Sequence, residues 1–325
     1  MSIFDRRYNY KPFEYSNITN PLIDAMWAGH WTVNEFSFSS DIQDFRAGVS
    51  EEEREILKKT LLLISQVEVA VKNYWGNIGT LLPKPEIGEL GAVFSGVEVI
   101  HSRAYSEILN KLSLNNEFEE ILKQEAVKGR VAYLTKYNDT ISAKEKQNIC
   151  YSLALFTLFT ENVSLFSQFF IILGFNRFRG LFKDISNVVQ YTSKEENLHA
   201  EGGMALLKQI RKEHPELFDD VLNQRIISEA HEALKAESEL IDWILGGYEN
   251  EFVSKDILTT FLKRRLNDSL VKIGYEEVFE LDNNLVEKTL WMDDEIYASA
   301  LTDFFHKRPI EYQKKMKSFE AQDLF

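Results

Sequence analysis

The stretch FSGVEVIHSRAYSEIL, residues 94–109, places Glu98, His101 and Tyr105 at offsets of three and four. Those offsets line a carboxylate, an imidazole and a phenol along one side of a helix, in a segment otherwise rich in apolar residues. Taken alone, the pattern is equally served by a hydrogen-bonded core histidine beside a surface glutamate, because Glu-x-x-His is short enough to arise by chance. What decides is whether the arrangement returns elsewhere.

It does. Glu68 lies in LLLISQVEVAV, and thirty residues later comes Glu98-x-x-His101; Glu161 lies in LALFTLFTENVSLF, and thirty-five later comes Glu196-x-x-His199. A lone Glu on one helix and a Glu-x-x-His on a later one, repeated, is the pattern of a carboxylate-bridged two-metal site inside a four-helix bundle. The residue types follow from the chemistry. An isolated carboxylate in a dry bundle costs on the order of tens of kcal/mol or protonates. Two divalent cations balance four such charges, and neutral histidines complete the ligand set. Oxygen-rich ligation with one nitrogen per ion suits manganese or iron better than structural zinc. The chain has only six histidines, and the two that follow a Glu at minus three both pair with an upstream Glu in an apolar run.

The frame around these residues is helical. The 325 residues contain 15 Gly and 6 Pro, few for a chain of strands and turns, while 44% are hydrophobic and can bury a sizeable core. Helical periodicity predicts elements at about 51–80, up to 112, 115–136, 143–173, 180–213, 219–246, 255–274 and 294–305. No Gly/Ser/Pro linker divides them, so the expectation is one all-α domain with a polar tail. The formal charge of −14 opposes general nucleic-acid binding. The single cysteine, Cys150, excludes an intrachain disulfide and a thiolate metal cage, reads as a small core residue and fits the cytoplasm. No apolar leader opens the sequence. The long apolar run 151–175 is interrupted by Glu161, Asn162 and Gln168 and reads as a buried helix rather than a membrane span. Leu165 and Phe169, at four and eight residues beyond Glu161, are expected to form an apolar wall beside the site.

Several stretches beyond the ligands carry a resemblance: EVIHSRAYSEIL, HWTVNEFSF with Trp31, DFFHKRPIEYQ with Tyr312, and the closing FEAQDLF. With the repeated ligand pattern they resemble the small, radical-generating subunit of class I ribonucleotide reductase over nearly the whole length. The resemblance implies a ferritin-like helix bundle over residues 1–305 and a flexible tail, 306–325, that docks on the large subunit. It implies that a dinuclear centre of Glu68, Glu98, His101, Glu161, Glu196 and His199 makes and stores a one-electron oxidant. That oxidant passes to a cysteine of the large subunit, where ribonucleotides become deoxyribonucleotides. Tyr105 falls at the radical-tyrosine position, Trp31 at that of an electron-transfer tryptophan, and Tyr312 at that of the relay tyrosine between subunits. Glu195 stands where the family usually has the Asp linking the tryptophan to the first histidine. A homodimer is expected as well. One cysteine cannot supply both a thiyl radical and a redox thiol pair, which agrees with substrate chemistry in another chain.

Two departures refine the resemblance. The first ligand is Glu68 rather than Asp, and Lys72 follows one helical turn later. QVEVAVKNYWG is similar to the class Id subgroup, which implies two manganese ions (two iron ions or a mixed pair being the alternatives) and superoxide as activator. A cation beside a neutral cluster would steer an anionic oxidant, giving Lys72 a physical role. Competing functions are a two-metal oxygenase or desaturase acting on its own substrate, and an iron-storage protein. Neither would need the tail.

Overall fold

The computed structural model describes residues 2–9, 11, 13–70, 72–141 and 145–298, without the side chains of 69, 70, 72, 137–141 and 298. Among the described residues there is no strand, and the long helices pack around one apolar core. Their ends are set locally. Ser50 and Glu53 form a reciprocal cap at the start of the Glu51–Ala70 helix, Glu53 N donating to Ser50 Oγ at 3.2 Å and Ser50 N to Glu53 Oε2 at 2.8 Å. Asp219 and Ser254 accept from Leu222 N and Ile257 N to cap the Asp220–Leu245 and Lys255–Lys272 helices. Gly180, at φ 68°, ends the Phe166–Arg179 helix in the left-handed conformation that glycine adopts without a Cβ penalty.

The expected 51–80 helix appears as Glu51–Ala70 and Lys72–Leu81, on either side of residue 71, which lies outside the described residues. A short connection then leads to Pro85, the first residue of the Pro85–Lys111 helix. These neighbours lie in very close contact. A Cβ on Gly91 would fall 2.3 Å from the carbonyl oxygen of Trp75, and one on Gly79 would fall 2.9 Å from the Cα of Gly88. Three small positions therefore let the shorter helix press its backbone against the longer one.

The continuous helix expected over 143–173 is not what forms. The chain runs as an α-helix over Lys146–Ala154, a π-helical stretch over Leu155–Glu161, and an α-helix again over Phe166–Arg179. Ser164 closes the interruption by donating from both N and Oγ to Phe159 O, at 3.1 and 3.0 Å. The Lys183–Glu213 helix presses on the widened turn, since a Cβ on Gly203 would lie 2.0 Å from Thr157 Oγ1. Leu165 and Phe169 are buried as expected, but the break removes the four-residue periodicity on which their placement beside Glu161 rested. Lys146–Arg179 as a whole is long and apolar enough to cross a membrane, yet its apolar window is wholly buried in the bundle, as befits a core helix.

Residues 39–48 form a helical turn, Ser39–Gln43, and a π-helical turn, Asp44–Gly48. Their purpose is visible in Asp41. Its buried carboxylate accepts from Ile185 N at 2.7 Å and Asp184 N at 3.3 Å, capping the Lys183–Glu213 helix from a distance in sequence.

Candidate metal centre

Four helical stretches bring the six expected ligands to one point. Glu68 comes from Glu51–Ala70, Glu98 and His101 from Pro85–Lys111, Glu161 from the end of the π-helical stretch, and Glu196 and His199 from Lys183–Glu213. Every one is buried, with Glu98, His101, Glu68 and His199 at 0% exposure. They form two ligand groups: Glu68, Glu98, His101 and Glu196 on one side, and Glu98, Glu161, Glu196 and His199 on the other, the donor atoms within each lying within 4.8 Å of one another. Glu98 and Glu196 belong to both groups, the position of bridging carboxylates.

The two histidines present the same nitrogen. His101 Nδ1 lies 3.1 Å from Glu196 Oε1, 3.5 Å from Glu98 Oε2 and 3.7 Å from Glu68 Oε2. His199 Nδ1 lies 3.0 Å from Glu98 Oε1, 3.3 Å from Glu196 Oε2 and 3.5 Å from Glu161 Oε2. Both oxygens of Glu68 and of Glu98, Oε1 of Glu196 and Nδ1 of His101 are buried without a hydrogen-bond partner. Orphaned acceptors at such density in a dry core need cations. The donor set therefore fits two divalent ions.

Electrostatics agree. Burial pushes the carboxyl groups of Glu68 and Glu161 well above the usual range, and neighbouring carboxylates push them further. Burial would also raise Glu196, but the neighbouring Glu161, His101 and His199 side chains bring it below its ordinary value. Burial would lower both imidazoles, yet the surrounding carboxylates hold them well above the ordinary histidine value.

A hydrogen-bonded path leaves the first histidine. His101 Nε2 is 2.8 Å from Glu195 Oε2, which also accepts from Trp31 Nε1 at 3.0 Å. Glu195 is only 6% exposed, so it is no solvated helix glutamate, and its longer side chain spans the gap where Asp was the expected type. Trp31 is buried, with Tyr191 stacked at 5.6 Å. Tyr105 is buried on the His101 helix and donates to Thr192 Oγ1 at 3.2 Å; burial first, and the Glu68 charge second, push its phenol well above 10. Lys72 opens the Lys72–Leu81 helix, but its side chain lies outside the described residues. Tyr312 and the tail lie outside them altogether.

One residue escaped the sequence reading. Trp75 is fully buried and donates from its indole nitrogen to Glu161 Oε1 at 2.7 Å. Its only sequence cue is the set of glycines that brings its helix close.

Comparison with known proteins accords with this geometry. The family model described as ribonucleotide reductase, small chain, matches residues 7–285. A protein of Invertebrate iridescent virus 3 named probable ribonucleoside-diphosphate reductase small subunit is 26% identical over 325 residues, covering 95% of this chain and 85% of its own. The ribonucleoside-diphosphate reductase subunit beta of Halalkalibacterium halodurans is 23% identical over 304 residues, covering 90% and 85%. In structure, the ribonucleotide reductase R2 subunit from Clostridium botulinum superposes with a TM-score of 0.79 at 17% identity, over 90% of this chain and 92% of that one. A family match across most of the chain, on a helical bundle whose buried acids and histidines meet in two groups, leads to one assignment: the chain belongs to the ribonucleotide reductase small-chain family.

Proposed function

We propose that this chain is the radical-generating subunit of a ribonucleoside-diphosphate reductase. The observation that carries the reading is the pair of ligand groups sharing Glu98 and Glu196, with His101, Glu195 and Trp31 hydrogen-bonded in series from one of them. Glu68, Glu98, His101, Glu161, Glu196 and His199 would hold two ions, which when bound supply a stored one-electron oxidant. Glu195 orients the His101 ring through Nε2 and leaves Nδ1 facing the ligand carboxylates. The same oxygen fixes the Trp31 indole, so the tryptophan is held in line with the histidine for electron exchange. The apolar packing around the cluster excludes water and stray reductants.

The oxidant would be delivered to a cysteine of a large subunit, consistent with the single buried Cys150 here, whose thiol burial pushes up to about 12. Residues 306–325 would be the docking tail, Tyr312 the relay within it, and residues 1–305 the body, working as a cytoplasmic homodimer. Manganese is favoured over iron by Glu68 in place of Asp and by Lys72 beside it in sequence. In this reading the metals store the oxidant, and Tyr105, hydrogen-bonded to Thr192, is their neighbour.

Reconstitution with the large subunit tests the proposal. Apoprotein loaded with Mn²⁺ and superoxide is expected to turn over, and Lys72→Met to lose activation by superoxide. Deleting residues 306–325 is expected to abolish association while leaving metal content intact. Turnover with iron and oxygen, with a tyrosyl signal that disappears in Tyr105→Phe, would replace the manganese reading with a di-iron one.

A further inference from the structure

The two halves of the cluster are supported differently. His101 has its outer nitrogen tied to Glu195, whereas His199 Nε2 has no hydrogen-bond partner among the described residues. Metal-ligating histidines are ordinarily oriented through that second nitrogen. At the His199 half the support reaches the carboxylate instead. Trp75 Nε1 donates to Glu161 Oε1 at 2.7 Å, while Glu161 Oε2 faces His199 Nδ1 at 3.5 Å. One oxygen is thus held away from the ligand cluster and the other toward it.

The indole is in no position to swing. Its ring meets Phe94 edge-on at 4.9 Å and Phe156 edge-on at 5.6 Å, and the adjacent Tyr74 stacks on Phe156 at 3.9 Å. Its backbone is seated where Gly91 lacks a Cβ, against the helix that carries Glu98 and His101. Glu161, by contrast, ends a π-helical stretch, three residues before a turn at 164–165 that interrupts the helix. A carboxylate on an irregular segment is therefore anchored from a rigid one.

We infer that Trp75 is a positioning residue that commits Glu161 to bind its ion through Oε2 alone, setting the affinity of the His199 half independently of the His101 half. The inference rests on the six residues holding two ions. Losing the indole donor frees Oε1 to rotate, and the affinity of that half is expected to fall about tenfold, the lower end of what loss of a ligand's supporting hydrogen bond costs. The His101 half, supported by Glu195, should be unaffected.

The test replaces Trp75 in the full chain with β-(3-benzothienyl)alanine, which keeps the ring shape and puts sulfur where the N–H was. Site-specific 5-fluorotryptophan, which keeps the N–H, is the control. Crystals equilibrated with sub-saturating Mn²⁺ give the occupancy of each position by anomalous scattering. The expected result is a fall of about tenfold in apparent Mn²⁺ affinity at the Glu161–His199 position in the benzothienyl protein, with the Glu68–His101 position and the fluorotryptophan protein unchanged. A benzothienyl protein that fills both positions in the wild-type ratio, or loses both equally, overturns the inference while leaving the two-metal reading intact. A wild-type protein that fills neither position removes that reading and the inference together.

Discussion

The two ends of the buried cluster use the same residue types and sit in different surroundings. At the His101 end the imidazole leads through Glu195 to Trp31, a polar series that Tyr191 and Phe36 flank with their rings. At the His199 end the imidazole lies against Phe94, with ring centroids 4.4 Å apart, and has Trp75 at 5.9 Å. Burial is equal at the two histidines, so exposure does not distinguish the ends. The hydrogen bonding does: one end has a route outward through heteroatoms, and the other is closed by aromatic carbon. A near-symmetric ligand set thus acquires direction from what stands behind it.

Removing a shared carboxylate should erase the comparison. Glu196→Ala takes a carboxylate from both groups and leaves Glu98 as the one acid they share, so both ions should be lost and turnover abolished. Glu68→Ala touches one group only and should leave about one ion per chain, read by metal analysis of the purified protein. Equal loss in the two variants would mean that Glu98 and Glu196 do not bridge.

Glu195→Gln should sharpen the comparison. It keeps the side-chain length and removes the charge at the junction of Trp31 and His101. Metal content at the His199 end is expected to stay normal while turnover with the large subunit falls by about 10–100-fold. Turnover within twofold of wild type would show that the path through Trp31 is not used.

A buried acid outside both ligand groups provides the smallest test. Glu237 and Arg130 are both fully buried, with Arg130 Nε 3.2 Å from Glu237 Oε1, so this carboxylate is balanced by a guanidinium rather than by an ion. Burial raises Glu237 from 4.5 to about 7, against the lowering pull of Arg130. Between those values the unfolded chain releases a proton that the folded one keeps, so stability declines as pH rises from about 4.5 to about 7. Glu237→Gln should flatten that decline, worth about 3 kcal/mol across the window, in urea unfolding of chelator-treated protein at several pH values. An unchanged slope would assign the pH dependence to the metal cluster instead.

The sequence displayed the helices and the ligands because both announce themselves chemically. Apolar periodicity marks a helix, and an acid such as Glu68 or Glu161 inside it is a contradiction that only a cation or a partner resolves. Glu195 was legible only through the resemblance, as the position where the family usually has Asp, and its burial was not. What stayed hidden depends on long-range placement. Trp75 meets Glu161 across 86 residues, Arg130 meets the distant Glu237, and Asp41 caps a helix 144 positions away at Ile185; none of these pairs leaves a periodic trace. The π-helical stretch Leu155–Glu161 was hidden for another reason: it widens the turn without altering composition, and a segment buried on every side, Thr157 and Thr160 included, has no solvent face whose drift would reveal it.

The close contact of Gly79 with Gly88, and of Trp75 with Gly91, has a consequence for the order of assembly. These residues belong to consecutive helices joined by a few residues, so the wall that carries Trp75, Glu98 and His101 is built from local contacts that form early on a folding chain. Glu161 and Glu196 arrive from much further along the chain and complete the ligand set only when the bundle closes. Metal capture is then a late event, and the rate at which a divalent metal is taken up by refolding protein is a clock for the last docking step.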